Sequence, residues 1–151
     1  MILYLDTSAL VKLYVQERGS AQVRAHVGTA DAIATSVVAY AEARAAFARL
    51  RRERPASGKR HRERVGQLDR DWDQYARVEL IATVVRSAGE LTEQHRLRGF
   101  EAIHLASALW LKSAHTDDLA FLAFDQALTA AAKAAGLSIL RRPVSTRRRR
   151  S

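Results

Sequence analysis

Four carboxylates in this chain stand where they could do chemistry as well as serve local structure: Asp6, Glu42, Glu101 and Asp125. Asp6 ends the apolar run ILYL and is followed by Thr7, Ser8 and then Leu10, Leu13 and Tyr14 at helical spacing. Asp125 follows LAFLAF in the same way. Each can cap a helix by accepting a hydrogen bond from a free N–H, and each can also hold a ligand. Glu42 is harder to explain. Its neighbours one helical turn away are Val38, Ala39, Ala45 and Ala46, so no Lys or Arg pairs with it there. An unpaired carboxylate on a face of small apolar residues is costly to desolvate. Glu101 opens the helix of RLRGFEAIHLASAL, where the positive helix end favours an acid.

Carboxylates gathered without Cys or paired His select a hard divalent cation, Mg2+ or Mn2+. With that cation they can activate water and hold a phosphoryl oxygen, the arrangement for metal-assisted phosphodiester hydrolysis. All four acids are therefore candidates for both metal binding and catalysis. Thr7 and Ser8 are candidates to orient the acids from behind, although either could simply cap a helix. His104 lies three residues after Glu101, giving Glu-x-x-His once. Di-iron bundles need that motif twice on four helices. His104 is accordingly expected either to pack in the core or to support the site from behind, rather than to bind metal. His26, His61, His95 and His115 show no ligand spacing.

The elements that must position these groups follow from periodicity. Strands are expected at Ile2–Leu5, Asp31–Thr35, Val78–Ala82, Leu119–Ala123 and Leu137–Leu140. Helices are expected from Asp6 to about Val15, from Ser20 to Val27, and from Ser36 (as N-cap) to before Pro55. Further helices carry Val65–Ala76, Val84–His95 closed by Gly99, Glu101–Lys112, and Leu128–Ala135 stopped by Gly136. Apolar strands alternating with helices predict an α/β fold, a three-layer α/β/α sandwich around a central parallel sheet. Ligands in such sheets bind at the carboxyl ends of strands. Asp6 and Asp125 would then share one edge, while Asp117 and Asp118 would be turn residues at the other. Trp72 and Trp110 fall on apolar stripes and are expected in the core.

The bulk composition narrows the class. The chain has 151 residues and is read as one domain over 1–142 with a basic tail, 143–151, expected to be disordered. It has no cysteine, which removes disulfides, thiolate zinc sites and cysteine nucleophiles and suits a reducing cytoplasm. No secretory signal and no membrane-length apolar run is visible, so the expectation is a cytoplasmic protein without membrane contact. The net charge is +9. Residues 49–64 carry eight Lys or Arg against two acids, and the C-terminal RRPVSTRRRRS carries six arginines. That pattern fits a polyanion partner, most simply nucleic acid, with an acidic protein as the alternative. Arg49, Arg51, Arg52, Lys59 and Arg60 are the candidate RNA contacts.

The stretches YLDTSALVKLY, YAEARAAFARL, LRGFEAIHLASAL and LAFLAFDQALTAAAKAAGL, in that order, resemble the PIN-domain family, and within it the VapC-type ribonuclease toxins. The resemblance covers Met1 to about Leu140. It implies Mg2+- or Mn2+-dependent endonucleolytic cleavage of RNA, usually a translation component such as tRNA or rRNA. It also implies a homodimer and neutralisation by a cognate VapB-type antitoxin. Asp6, Glu42, Glu101 and Asp125 match the family's four acids. Two positions depart from its pattern: Glu101 replaces the usual Asp, and Ala123 replaces the Thr or Ser often found two residues before the fourth acid. An extra methylene can move a ligand by about an ångström, enough to change rate.

The rival from another class is a catalytically weak module that binds RNA or an antitoxin, with Glu101 as the damaged position. A haloacid-dehalogenase-type phosphatase also starts from a strand ending in Asp. It needs a second Asp two residues later, where this chain has Ser8.

Overall fold

The computed structural model describes residues 1–115 and 118–140. The expectations for Asp117 and for the tail lie outside those residues. Five strands form one all-parallel sheet: β1 (Ile2–Leu5), β2 (Ala32–Ser36), β3 (Ala76–Val78), β4 (Leu119–Leu122) and β5 (Ser138–Ile139), in the spatial order β3-β2-β1-β4-β5. Four helices belong to the first half of the chain: α1 (Thr7–Val11), α2 (Ser20–Thr29), α3 (Val38–Glu53) and α4 (Gly58–Trp72), the last two joined by a 3-10 turn at Pro55–Ser57. Three follow β3: α5 (Ala82–His95), α6 (Gly99–His115) and α7 (Gln126–Ala134).

Strand alternation divides the core into two layers. Leu3 and Leu5 of β1, with Ala120 and Leu122 of β4, pack with residues of α1, α2 and α3. Tyr4 and Phe121 point the other way and join α5, α6 and α7. Their rings stack at 5.5 Å. A third cluster, Val15, Ala43, Phe47 and Leu68, fastens α4 onto α3. Trp72 and Trp110, expected in the core, are half-buried and pack against these clusters from outside. The predicted three-layer α/β/α sandwich is present.

Several boundaries differ from expectation, each for a local reason. The first helix ends at Val11, and turns carry the chain on to Tyr14. Ser36 is the last residue of β2; its hydroxyl still accepts from Val38 N at 3.3 Å, so it caps α3 from one position early. The fourth helix stops at Trp72, and Ala76 is already in β3. That strand was expected in ARVELIAT, from the alternation of Val78, Leu80 and Ala82. It ends at Val78 because its partner β2 ends at Ser36, the residue paired with Val78, and the next apolar residues Leu80 and Ile81 are exposed. Gly99 does not close α5. Arg96 does so in the left-handed conformation, at φ 52°, and Gly99 begins α6. Gly136 takes φ 92° beyond α7, the expected stop. Among the described residues no helix is long and apolar enough to cross a membrane.

Candidate active site

The strand order reverses at β1, which has β2 on one side and β4 on the other. Ligand crevices of parallel sheets open at such a switch, beyond the carboxyl ends of the strands. The register pairs Leu5 with Leu122, so Asp6 and Asp125 leave the sheet on that same edge. On the opposite edge, Asp118 O accepts from Ile2 N at 2.9 Å and its carboxylate pairs with the N-terminus at 3.1 Å.

Asp6 is the N-cap of α1 and only 6% exposed. Its Oδ1 accepts from Ala9 N at 2.9 Å, and Ser8 Oγ donates to the carboxylate at 2.7 and 2.9 Å. Ser8 Oγ also accepts from Phe124 N at 3.2 Å, and Asp6 N donates to Leu122 O at 3.2 Å. The exits of β1 and β4 are thereby tied together. Burial pushes the Asp6 carboxyl above its ordinary value of 3.8, against the hydrogen bonds from Ala9 N and Ser8.

Glu42 lies in the second turn of α3, reaching across the sheet edge. Thr7 Oγ1 donates to its Oε1 at 2.6 Å, and His104 Nε2 stands 3.1 Å from the same oxygen. Thr7 Oγ1 and His104 Nε2 are 2.9 Å apart. Since the single Thr7 proton goes to the carboxylate, Nε2 carries a hydrogen and shares it between Glu42 and Thr7. Tyr4 O–H meets His104 Nδ1 at 2.9 Å. Burial drives the Tyr4 phenol far upward, so it keeps its proton and donates it to Nδ1. Burial also opposes ionisation of Glu42, but the hydrogen bonds from His104 and Thr7 outweigh it and hold this carboxyl below its ordinary value. His104 is buried, in line with the expectation of a packed histidine, and Thr7 and Ser8 both touch acids.

Asp125 caps α7, accepting from Leu128 N at 2.8 Å, and is exposed. Glu101 Oε2 accepts from Arg98 N at 3.0 Å. Arg98 O takes the first backbone bond of α6, from Ala102 N, so Glu101 is three residues into the helix and reaches back to its N-cap. A glutamate has the length for that bond, which gives a physical reason for the extra methylene.

Asp6, Glu42, Glu101 and Asp125 all line one cleft of about 600 Å³, together with Thr7, Ser8 and His104. Arg98, Phe100 and Ile103 complete its wall. Among the described residues no three His, Asp or Glu side chains stand close enough to enclose a metal ion. The donor chemistry nevertheless fits a hard cation: every acid on the cleft offers oxygen only. Moreover Glu42 Oε2, Glu101 Oε1 and Asp125 Oδ2 face no protein donor among the described residues, the opposite oxygen of each being the one engaged.

The predicted RNA contacts lie elsewhere. Arg49, Arg51 and Arg52 are on the far half of α3, and Lys59 and Arg60 open α4; all are exposed and none lines the cleft. At 1.5 Å per residue, Arg49 is roughly 10 Å along the helix from Glu42. The residues that do adjoin the acids, Arg98 and Phe100, were not singled out from sequence. The available signal was an aromatic in the first turn of a helix, next to an acid, in LRGFEA.

The PIN-domain family model matches residues 3–134. The chain belongs to the PIN-domain family. Ribonuclease VapC45 of Mycobacterium tuberculosis is 37% identical over 142 residues, covering 91% of this chain and 94% of that relative. That similarity places this PIN domain among VapC-type members. Solved toxin structures share its fold. VapC20 of M. tuberculosis, a toxin that cleaves the sarcin–ricin loop, superposes with TM-score 0.63 at 16% identity, covering 93% of this chain and 99% of that one. VapBC2 of Rickettsia felis, bound to a DNA fragment from its promoter, gives 0.60 at 14% identity and covers 93% and 98%.

Proposed function

We propose that this PIN domain is a VapC-type toxin ribonuclease that cuts structured RNA of the tRNA or rRNA class, using Mg2+ or Mn2+ held by Asp6, Glu42, Glu101 and Asp125. The carrying observation is the convergence of all four acids on one cleft at the switch in strand order. The sequence similarity to a VapC ribonuclease supports the substrate class.

When bound, the cation supplies the charge that offsets the clustered carboxylates and polarises water and the phosphodiester. The chain's own groups set the stage for that. Ser8 and Ala9 N fix Asp6, and Thr7 with His104 keeps Glu42 ionised and aimed. Attack of water on phosphorus breaks one P–O ester bond and leaves a phosphate and a hydroxyl end. The proton released by the water goes to a carboxylate or to solvent, and the leaving oxygen takes up a proton from solvent to become the hydroxyl end.

A VapB-type antitoxin is the proposed restraint on this activity, and a homodimer the proposed assembly. The solved VapBC2 complex supports the first. The direct test is cleavage of a panel of structured RNAs by antitoxin-free protein with Mg2+, Mn2+ or EDTA. Cutting at a few sites that needs a divalent ion and is lost in Asp6→Asn is expected. Cutting that survives both EDTA and Asp6→Asn would refute the assignment.

A further inference from the structure

Phe100 stands out from the other aromatic residues. Tyr4 and Phe121, Tyr14 and Phe47, Tyr40, Trp72 and Tyr75, and Trp110 with His115 are paired ring to ring, and Lys12 lies over Phe124. Among the described residues Phe100 has no such partner. It is also 56% exposed, more than the exposed Leu80, Ile81 and Val85. A large apolar ring kept in water is informative when it adjoins a site. This one lines the acid cleft beside Glu101, with Arg98 two residues before it on the same wall.

We infer that Phe100 is a stacking platform for one unpaired nucleobase of the RNA next to the scissile phosphodiester, with Arg98 placed for an adjoining phosphate. The choice of RNA rests on the ribonuclease reading. Three observations support this occupant. The cleft brings an apolar ring, a guanidinium and four carboxylates together, which matches the base, phosphate and reacting centre of a nucleotide. Its volume of about 600 Å³ is in the range of clefts that take such a ligand. The chain carries +9 net charge, which favours a polyanion. A base inside a duplex has both faces covered by its neighbours and cannot stack on a side chain, so the base must be looped out or single-stranded. Stacking accepts any base, since each has a π face, so the platform selects unpaired structure over sequence.

The test reads binding without cleavage, in full-length protein carrying Asp6→Asn. Fluorescence anisotropy would follow a short labelled oligoadenylate and, separately, a blunt RNA duplex. Phe100→Ala should weaken oligoadenylate binding about tenfold, and Phe100→Trp should retain it. Phe100→Leu, apolar but without a π face, should lose several-fold. Duplex affinity should stay the same in all three, with unchanged thermal midpoints because the ring is exposed. A 2-aminopurine placed in the oligonucleotide should be quenched by the parent protein and not by the Phe100→Ala form. Oligoadenylate affinity unchanged in Phe100→Ala would overturn the inference and leave the ring to a protein partner. Equal binding by Phe100→Leu, or equal loss for duplex and single strand, would also overturn it. Failure of the native protein to cut any RNA, alongside Phe100-dependent binding, would sink the ribonuclease reading and leave the platform standing.

Discussion

His104 governs how Glu42 meets the cleft, because one ring nitrogen holds the carboxylate while the other is fixed by the buried Tyr4 hydroxyl. His104→Ala should leave Tyr4 O–H without its partner, costing about 1–3 kcal/mol in denaturant titrations. It should also lower the cleavage rate roughly 10- to 100-fold, as loss of a ligand-orienting partner does. His104→Gln, which restores a donor, should recover part of the rate, and a rate equal to that of native protein in His104→Ala would contradict the role. Asp6 and Glu42 shift in opposite directions, and the signs are testable. The Asp6 carboxyl lies above 3.8 when folded, so at lower pH it is protonated in both states and has no effect. As pH rises from 3.8 through the folded value, the unfolded chain releases its proton first and the fold loses stability. In EDTA, Asp6→Asn should therefore gain stability over native protein across that window, by urea titration at a series of pH values. Glu42 works the other way: its contribution is present above 4.5 and is lost as pH falls through the depressed folded value. A gap between Asp6→Asn and native protein that stays flat with pH would show that Asp6 is not held in a buried state. Glu42 was legible in sequence because it breaks a local rule, and Asp6 and Asp125 because each ends an apolar strand in the same way. Phe100 was not, since one exposed aromatic on a helix acquires meaning only when the cleft beside it is seen.

The segment from Arg96 to Glu101 is the element on which the cleft wall depends. Arg96 takes φ 52°, Leu97 is buried, and Glu101 returns to Arg98 N. A left-handed conformation costs a residue with a Cβ about 1–2 kcal/mol, and glycine avoids that at some cost in chain entropy. Arg96→Gly should raise stability by about 0.5–1 kcal/mol, and Arg96→Val should lower it by about 1 kcal/mol or more, in thermal or urea unfolding. Loss of stability in Arg96→Gly would mean that the side chain is needed at the joint. The sequence placed the turn at Gly99 because glycine is the usual residue for this conformation, yet an arginine three positions earlier adopts it. Strand β3 was likewise displaced, since the alternation of Val78, Leu80 and Ala82 continues past the point where β2 supplies hydrogen bonds. Periodicity locates an apolar run well; only the neighbouring strand decides where pairing ends.

Across the whole molecule, the strand order does the positioning that no single element can. Asp6 and Asp125, 119 residues apart, reach one edge because β1 and β4 are neighbours and run the same way, and α3 and α6 bring Glu42 and Glu101 to the same cleft. The alternation of apolar strands and helices made the layered parallel fold readable in advance. The order of strands was not readable from that pattern, and it is what closes the cleft. In the proposed mechanism these four carboxylates act as one cation site. Calorimetric titration of Mn2+ into the native protein, with Glu42→Gln and Asp125→Asn alongside, tests it most directly. Saturable binding by the native protein is expected, weakened at least tenfold in both variants. Absence of binding by the native protein, or binding that neither variant changes, would contradict it.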